Sequence, residues 1–273
     1  MQSLRYHNTG FVPYSGGAIG GAQAHVARVI ADGGQGVDSD ACTAFFNLFP
    51  GQVLPASMQS FTDCFLGYKL DGNGHVVKLY SASGATGDAV ADPGAGPTVL
   101  GSALNGKPVL NYQNSILYIP NLELSPDDEF CLLGVINDVP DNASTFGYSP
   151  GYAQSIGFRR LYGNLSFEFG FYFGGPQVAL PAYRGPGFFN RFNMSWKKLQ
   201  QPAECVAFWN GVEQSFTASS NSTPEQHFYG RTSFAIGQNQ NLPLRMTALG
   251  LFSAQEATYR KPIDDFLKAY YGL

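Results

Sequence analysis

The residues best suited to gripping a ligand lie in the stretch PAYRGPGFFNR, Pro181–Arg191. It sets Tyr183, Phe188 and Phe189 beside Arg184 and Arg191. Flat rings stack on sugar faces or side chains, and a guanidinium donates to hydroxyl or carboxylate oxygens. The prolines and glycines of the stretch make it a loop, so its apolar groups either tuck back onto a core or form an interface. Loops vary without disturbing the packing beneath them, which makes these five residues the candidate binding or interface site.

Catalysis would need other groups. Glycosidases hold two carboxylates roughly 5–10 Å apart across a sugar. On a single strand that calls for alternating acids such as ExDxxE, and the chain has none. Glu168 stands alone in LSFEFGFYF, and Asp127, Asp128 and Glu129 follow Pro126 in a turn. No nucleophile elbow, HExxH helix or P-loop is read from the sequence. The histidines His7, His25, His75 and His227 are scattered, and Cys42, Cys64, Cys131 and Cys205 have no CxxC spacing. These thiols read as buried and free. Asp71-Gly72-Asn73-Gly74 is a fragment of a calcium loop without its remaining acids, so a Gly-rich turn is favoured. The expectation is no catalytic residue, no metal and no cofactor.

The elements that must position the loop are mostly strands. LSFEFGFYF puts Leu165, Phe167, Phe169, Phe171 and Phe173 on one face by strict alternation, as a core strand does. EFCLLGVI, Glu129–Ile136, is apolar on both faces and reads as a central strand covered on two sides. In ECVAFWNGVEQSF, Asn210-Gly211 predicts a two-residue type I′ hairpin, because both central positions need positive φ. Toward the N-terminus, Ala22–Gly34 predicts an amphipathic helix with Ala22, Val26, Val29 and Ile30 on one face and Gly33 as its stop. His25 is placed on its solvent side or at a cap. Asp38 or Ser39 caps a second helix carrying Cys42, Phe45, Phe46 and Phe49, and Pro55 starts a third turn or helix with Met58, Phe61 and Phe65 at helical spacing. Ser253–Glu256 is a capping box for a last helix with Ile263, Phe266, Leu267, Tyr270 and Tyr271 on one face, interrupted or restarted by Pro262.

Composition agrees. Charged residues are 13% and aromatics 14%, with 33 Gly and 17 Pro, a balance that suits many short strands. The net charge of −4 argues against a nucleic-acid binder. No run approaches the ~20 apolar residues a membrane helix needs, so no membrane insertion is expected.

Two resemblances extend this. The NG strand, FAIGQ (Phe234–Gln238), RMTALGLFS (Arg245–Ser253) and the terminal helix ending AYYGL resemble the laminin-G-like, concanavalin A-like jelly roll. ARVIADGG, with Ala27, Arg28, Val29, Ala31, Asp32, Gly33 and Gly34, then Cys42, Tyr68, Lys69, Leu79 and Tyr80, resembles the N-terminal region of phage and prophage virion proteins. Together they imply a mainly β fold, an antiparallel two-sheet jelly-roll sandwich with a small N-terminal helical module and a C-terminal helix. The division expected is an extended arm at 1–20, helices at 21–65 and the jelly roll at 66–273. The implied role is a non-enzymatic virion structural protein of tail, fibre or capsid surface, presenting a lectin-like module for host-surface or glycan attachment. Other virion proteins and a homo-oligomer, a trimer, are the implied partners. Because no apolar core of signal-peptide length opens the chain, assembly in the host cytoplasm is expected. The alternative is a carbohydrate-active enzyme, glycosidase or lyase, on the same sandwich. A non-viral lectin is the third reading.

Overall fold

The computed structural model describes residues 21–120, 122, 129–137, 146–147, 156–161, 164–169, 177–180, 187–196, 205–214, 216–217, 233–237, 244–253 and 257–273. In chain order these form α1 (Gly21–Ala31), α2 (Ser39–Phe46), β1 (Met58–Thr62), β2 (Tyr68–Leu70), β3 (Val76–Leu79), β4 (Ala89–Val90) and β5 (Thr98–Leu104). There follow β6 (Lys107–Tyr112), β7 (Leu117–Pro120), β8 (Phe130–Asn137), β9 (Phe146–Gly147), β10 (Ile156–Leu161), β11 (Asn164–Phe169) and β12 (Gln177–Leu180). The chain closes with β13 (Phe189–Trp196), β14 (Cys205–Trp209), β15 (Val212–Gln214), β16 (Phe216–Thr217), β17 (Ser233–Ile236), β18 (Leu244–Phe252) and α3 (Ala257–Tyr271).

An eight-stranded sheet runs β15-β14-β13-β8-β18-β6-β5, with β1 also paired to β18, and a six-stranded sheet runs β2-β3-β4-β7-β17-β9. Every pairing is antiparallel. The two sheets face each other across a core that includes Leu79, Leu117, Ile119, Phe234 and Ile236 on one side and Leu132, Ile136, Phe192, Met194 and Leu251 on the other. The antiparallel sandwich expected from the sequence is therefore the architecture, with helices at both ends of the described chain. Strands β10, β11, β12 and β16 form a further four-stranded sheet. The strand expected in LSFEFGFYF is present over Asn164–Phe169, while the facing of its phenylalanines lies outside the described residues.

Strand β8 shows why a run can be apolar on both faces. Its Leu132 and Ile136 join the core between the sheets, whereas Cys131, Leu133 and Val135 join a second core beneath the helices. Gly134 interrupts the run because a Cβ there would come within 2.1 Å of the Ala248 carbonyl oxygen on β18. The second core is aromatic: Phe45 stacks on Phe61 at 4.3 Å between centroids and meets Phe266 of α3 edge-on at 5.6 Å. Both N-terminal helices and α3 thus pack on the back of the same sheet.

Three local expectations are corrected. Met58, Phe61 and Phe65 do not share a helix, because residues 58–62 form β1 along the Leu249–Phe252 half of β18. A ladder that completes the sheet outweighs an ambiguous spacing of apolar residues. Pro262 does not break α3, which runs through it; the carbonyl its ring deprives of a partner belongs to Thr258, an exposed residue open to water. His25 is buried at 4% exposure while Ile30 stands 66% exposed, so the buried face of α1 is turned from the expected one. The His25 Nε2 lies 2.8 Å from the Leu66 carbonyl oxygen, and burial lowers its pKa.

Candidate functional site

The Asn210-Gly211 turn is the starting point. Asn210 has φ 53° and Gly211 φ 81°, and Trp209 pairs with Val212 across them, as the two-residue hairpin predicts. The turn is tied to β13 through one residue. Asn210 N donates to the Arg191 carbonyl at 2.8 Å, and Arg191 N donates to Asn210 Oδ1 at 2.9 Å. Asn210 Nδ2 donates to Asn190 Oδ1 at 2.9 Å.

From β13, the Arg191 side chain reaches α3 and donates from Nε to Asp264 Oδ1 at 2.9 Å. This ion pair is largely buried, with side-chain exposures of 5% and 18%. Gly211 lies above it; a Cβ there would be 3.5 Å from Arg191 Nη2 and 3.8 Å from Asp264 Oδ2. A second arginine, Arg260, donates from Nη1 to Ser195 Oγ at 2.9 Å and lies 5.0 Å from the centre of the half-buried Phe208 ring.

Between hairpin and helix these residues enclose a cleft of about 470 Å³, also lined by Asn193, Lys261, Asp265 and Lys268. A shallower hollow of about 340 Å³ adjoins it, shared through Arg191, Asn210 and Lys268 and bounded by Phe189 and Leu273. A partly open cleft holding one ring, two amides and several cations has the ingredients for a polar ligand: stacking, hydrogen bonding and charge.

The residues singled out in the sequence part company here. Arg191 lines the cleft but is committed to Asp264. Phe189 is 7% exposed and belongs to the core under the helices, while Phe188 is 49% exposed just before β13. Tyr183 and Arg184 lie outside the described residues. Phe208, Arg260 and Lys268 are not singled out by the sequence, and Asn210 only as a turn residue, although Arg260, Asp264 and Lys268 recur every fourth residue along α3, a spacing that aligns them on one face.

Asp63, Cys42 and Asp71 lie away from this cleft. Burial pushes the Asp63 carboxyl up to about 7 against the hydrogen bonds it accepts, but it is sealed beneath α3. Burial raises the Cys42 thiol to about 12, and Cys42, Cys64 and Cys131 are buried and in no disulfide. Asp71 accepts from Asn73 N and His75 N on one oxygen and from Gly94 N on the other, so its carboxylate staples a turn.

No protein-family model and no curated protein matches the chain. Solved structures do. Trypanosoma rangeli sialidase in complex with a difluoro-KDN ligand matches with a TM-score of 0.50 and 12% identity, over 80% of this chain and 33% of that one. A mutant of the same sialidase displaying trans-sialidase activity matches at 0.50 and 11%, over 91% and 38%. Domains LG4-5 of the mouse laminin α1 chain match at 0.38 and 12%, over 60% and 44%. The chain thus spans roughly a third of the length of the sialidases it matches, and identities this low establish the β-sandwich fold alone.

The expectation of a non-enzymatic chain is corrected by these matches, since chains that share the fold at a TM-score of 0.50 include a sialidase and its mutant with trans-sialidase activity. An acid pair can be assembled from separate strands and loops, so a missing ExDxxE excludes one arrangement only. The letters of a GxSxG elbow do occur, as Gly147-Tyr148-Ser149-Pro150-Gly151. The described elements on either side are the strands β9 and β10 rather than a strand and a helix, and Ser149 itself lies outside the described residues.

Proposed function

We propose that this chain is the glycan-engaging sandwich of a carbohydrate-active protein, with the cleft between the hairpin turn and α3 as its contact site. The observation that carries the reading is the cleft's make-up: Phe208 offers a ring for stacking, Asn193 and Asn210 supply amides, and Arg260 and Lys268 supply cations. Sugars present an apolar ring face edged by hydroxyls, which this combination suits. The test is retention of the full chain on an immobilised glycan panel, beside Phe208→Ala checked for an unchanged melting temperature. Retention that Phe208→Ala abolishes supports the reading; a chain that no glycan retains sinks it. Incubating each retained glycan with the chain and assaying for released sugar reports whether the sandwich itself turns substrate over.

The setting we propose is a phage particle, where a host-surface glycan would be the ligand. Its support is the likeness of the ARVIADGG and Tyr68–Tyr80 segments to virion proteins. Other virion proteins and a closed homo-oligomer, trimeric by expectation, would complete the assembly. Mass spectrometry of purified particles and light scattering of the isolated chain test these points; absence from particles together with a monomer at micromolar concentration would remove them.

A further inference from the structure

We propose that the cleft prefers saccharides bearing a carboxylate, with Arg260 and Lys268 as the groups that meet it; this rests on the glycan reading above and names its substrate class. The cleft gathers Arg191, Arg260, Lys261 and Lys268 against only Asp264 and Asp265. The protein as a whole carries −4, so a local excess of positive charge runs against its overall balance.

The excess is not shared equally. Arg191 and Asp264 neutralise each other out of solvent. Lys261 pairs with Asp265 at 2.5 Å, but with side chains 80% and 57% exposed that pair is loose and well screened. Among the described residues no carboxylate bonds to Arg260 or Lys268.

Arg260 is also held in place. Its contact with Ser195 Oγ uses one donor of a guanidinium that has five, and the Phe208 ring lies against the group. A guanidinium already fixed loses less freedom on binding, and its planar fork matches a carboxylate. Lys268 in the last turn of α3 also suits the helix dipole, which accounts for its place on the helix. The dipole gives no reason for Arg260, eight residues earlier on the same stripe. A neutral glycan would need the ring and the amides but neither cation.

The experiment is titration of the full chain with 3′-sialyllactose and lactose, and with trigalacturonate and galactotriose, each pair differing in its carboxylates. The expected result is at least about tenfold tighter binding of one or both acidic members, weakening as salt is raised. Arg260→Gln should remove that preference and Lys268→Gln should reduce it. If acidic and neutral members bind alike, and Arg260→Gln changes neither, the carboxylate preference is wrong while glycan binding stands. If none of the four binds, the preference is overturned, and the panel assay above decides separately whether the glycan reading falls with it.

Discussion

Two aspartates fasten helix ends to the sandwich, and they do so in opposite electrostatic settings. At the end of α1, Gly33 takes φ 75° and Gly34 N donates back to the Val29 carbonyl at 2.8 Å, a Schellman closure that presents Asp32 outward. Asp32 there accepts from Lys78 Nζ at 2.8 Å and Tyr80 Oη at 2.7 Å, while Lys69 Nζ donates to its backbone carbonyl at 2.7 Å. Gly34 lets the chain lie on Tyr80, whose ring a Cβ would meet at 2.5 Å. At the end of α3, Tyr271 Oη donates to Asp63 Oδ1, which also accepts from Thr247 Oγ1 at 3.0 Å, while Asp63 Oδ2 has no partner. Thr247 sits where the register of β18 against β8 shifts, at the passage from β6 to β1. The hydrogen bonds from Lys78 and Tyr80 hold Asp32 well below the usual carboxylate range, whereas burial holds Asp63 well above it. Access to water and to a cation, not residue type, decides which way an aspartate is pushed.

The contrast can be broken most forcibly at Asp63. Asp63→Ala leaves Thr247 and Tyr271 with a lost acceptor in a buried setting, and should cost about 3 kcal/mol in denaturant unfolding. A loss below about 1 kcal/mol would mean that the helix end is held by its aromatic packing alone. The pH response comes next. Because the folded carboxyl titrates near 7 and an unfolded one near 3.8, the folded state binds the extra proton between those values. Its contribution to stability is therefore complete below about pH 4, declines as pH rises, and is gone above about pH 7. Asp63→Asn should flatten that slope in melting temperatures measured across the window, relative to the parent; an unchanged slope would assign it to other groups. The smallest effect is expected at the exposed knot. Asp32→Asn should cost less than about 1 kcal/mol, and the difference should shrink in concentrated salt. A larger, salt-insensitive loss would make the two fastenings alike after all.

How much of this was legible in the sequence depends on whether a feature is local. The hairpin turn, the Gly33 stop, the Asp38 cap and the two-sided apolarity of β8 each rest on a few neighbouring residues and read correctly. Asp38 shows the limit: the sequence offers it or Ser39 as the cap, and Asp38 accepts from Ala41 N at 3.0 Å, but its bond from Tyr270 Oη at 3.1 Å needs the far end of the chain. His25 was misplaced because hydropathy ranks Ile30 above it, while the carbonyl that satisfies the buried ring belongs to Leu66. Met58–Thr62 was misread for the same reason, its partner strand lying close to the C-terminus. The cleft follows the rule too. It is built from β13, a hairpin and α3, so no window of sequence contains it; Arg191 was found because it sits beside aromatics, not because it faces Asp264.

The position of β18 sets the order in which this protein can mature. The strand lies between β8 on one side and β6 and β1 on the other, yet it leaves the ribosome after every other described strand. Until residues 244–271 emerge, β8 has an open edge, Thr62 and its neighbours have no ladder, and Phe45 lacks its contact with Phe266. Bonds such as that from Tyr271 to Asp63, 208 positions apart, close only then. Such long-range closure is slow relative to helix formation and leaves apolar strands uncovered in the meantime. Folding of this sandwich thus waits for β18 and α3, and a nascent chain halted before β18 would emerge as a client for chaperones rather than as a smaller version of the same fold.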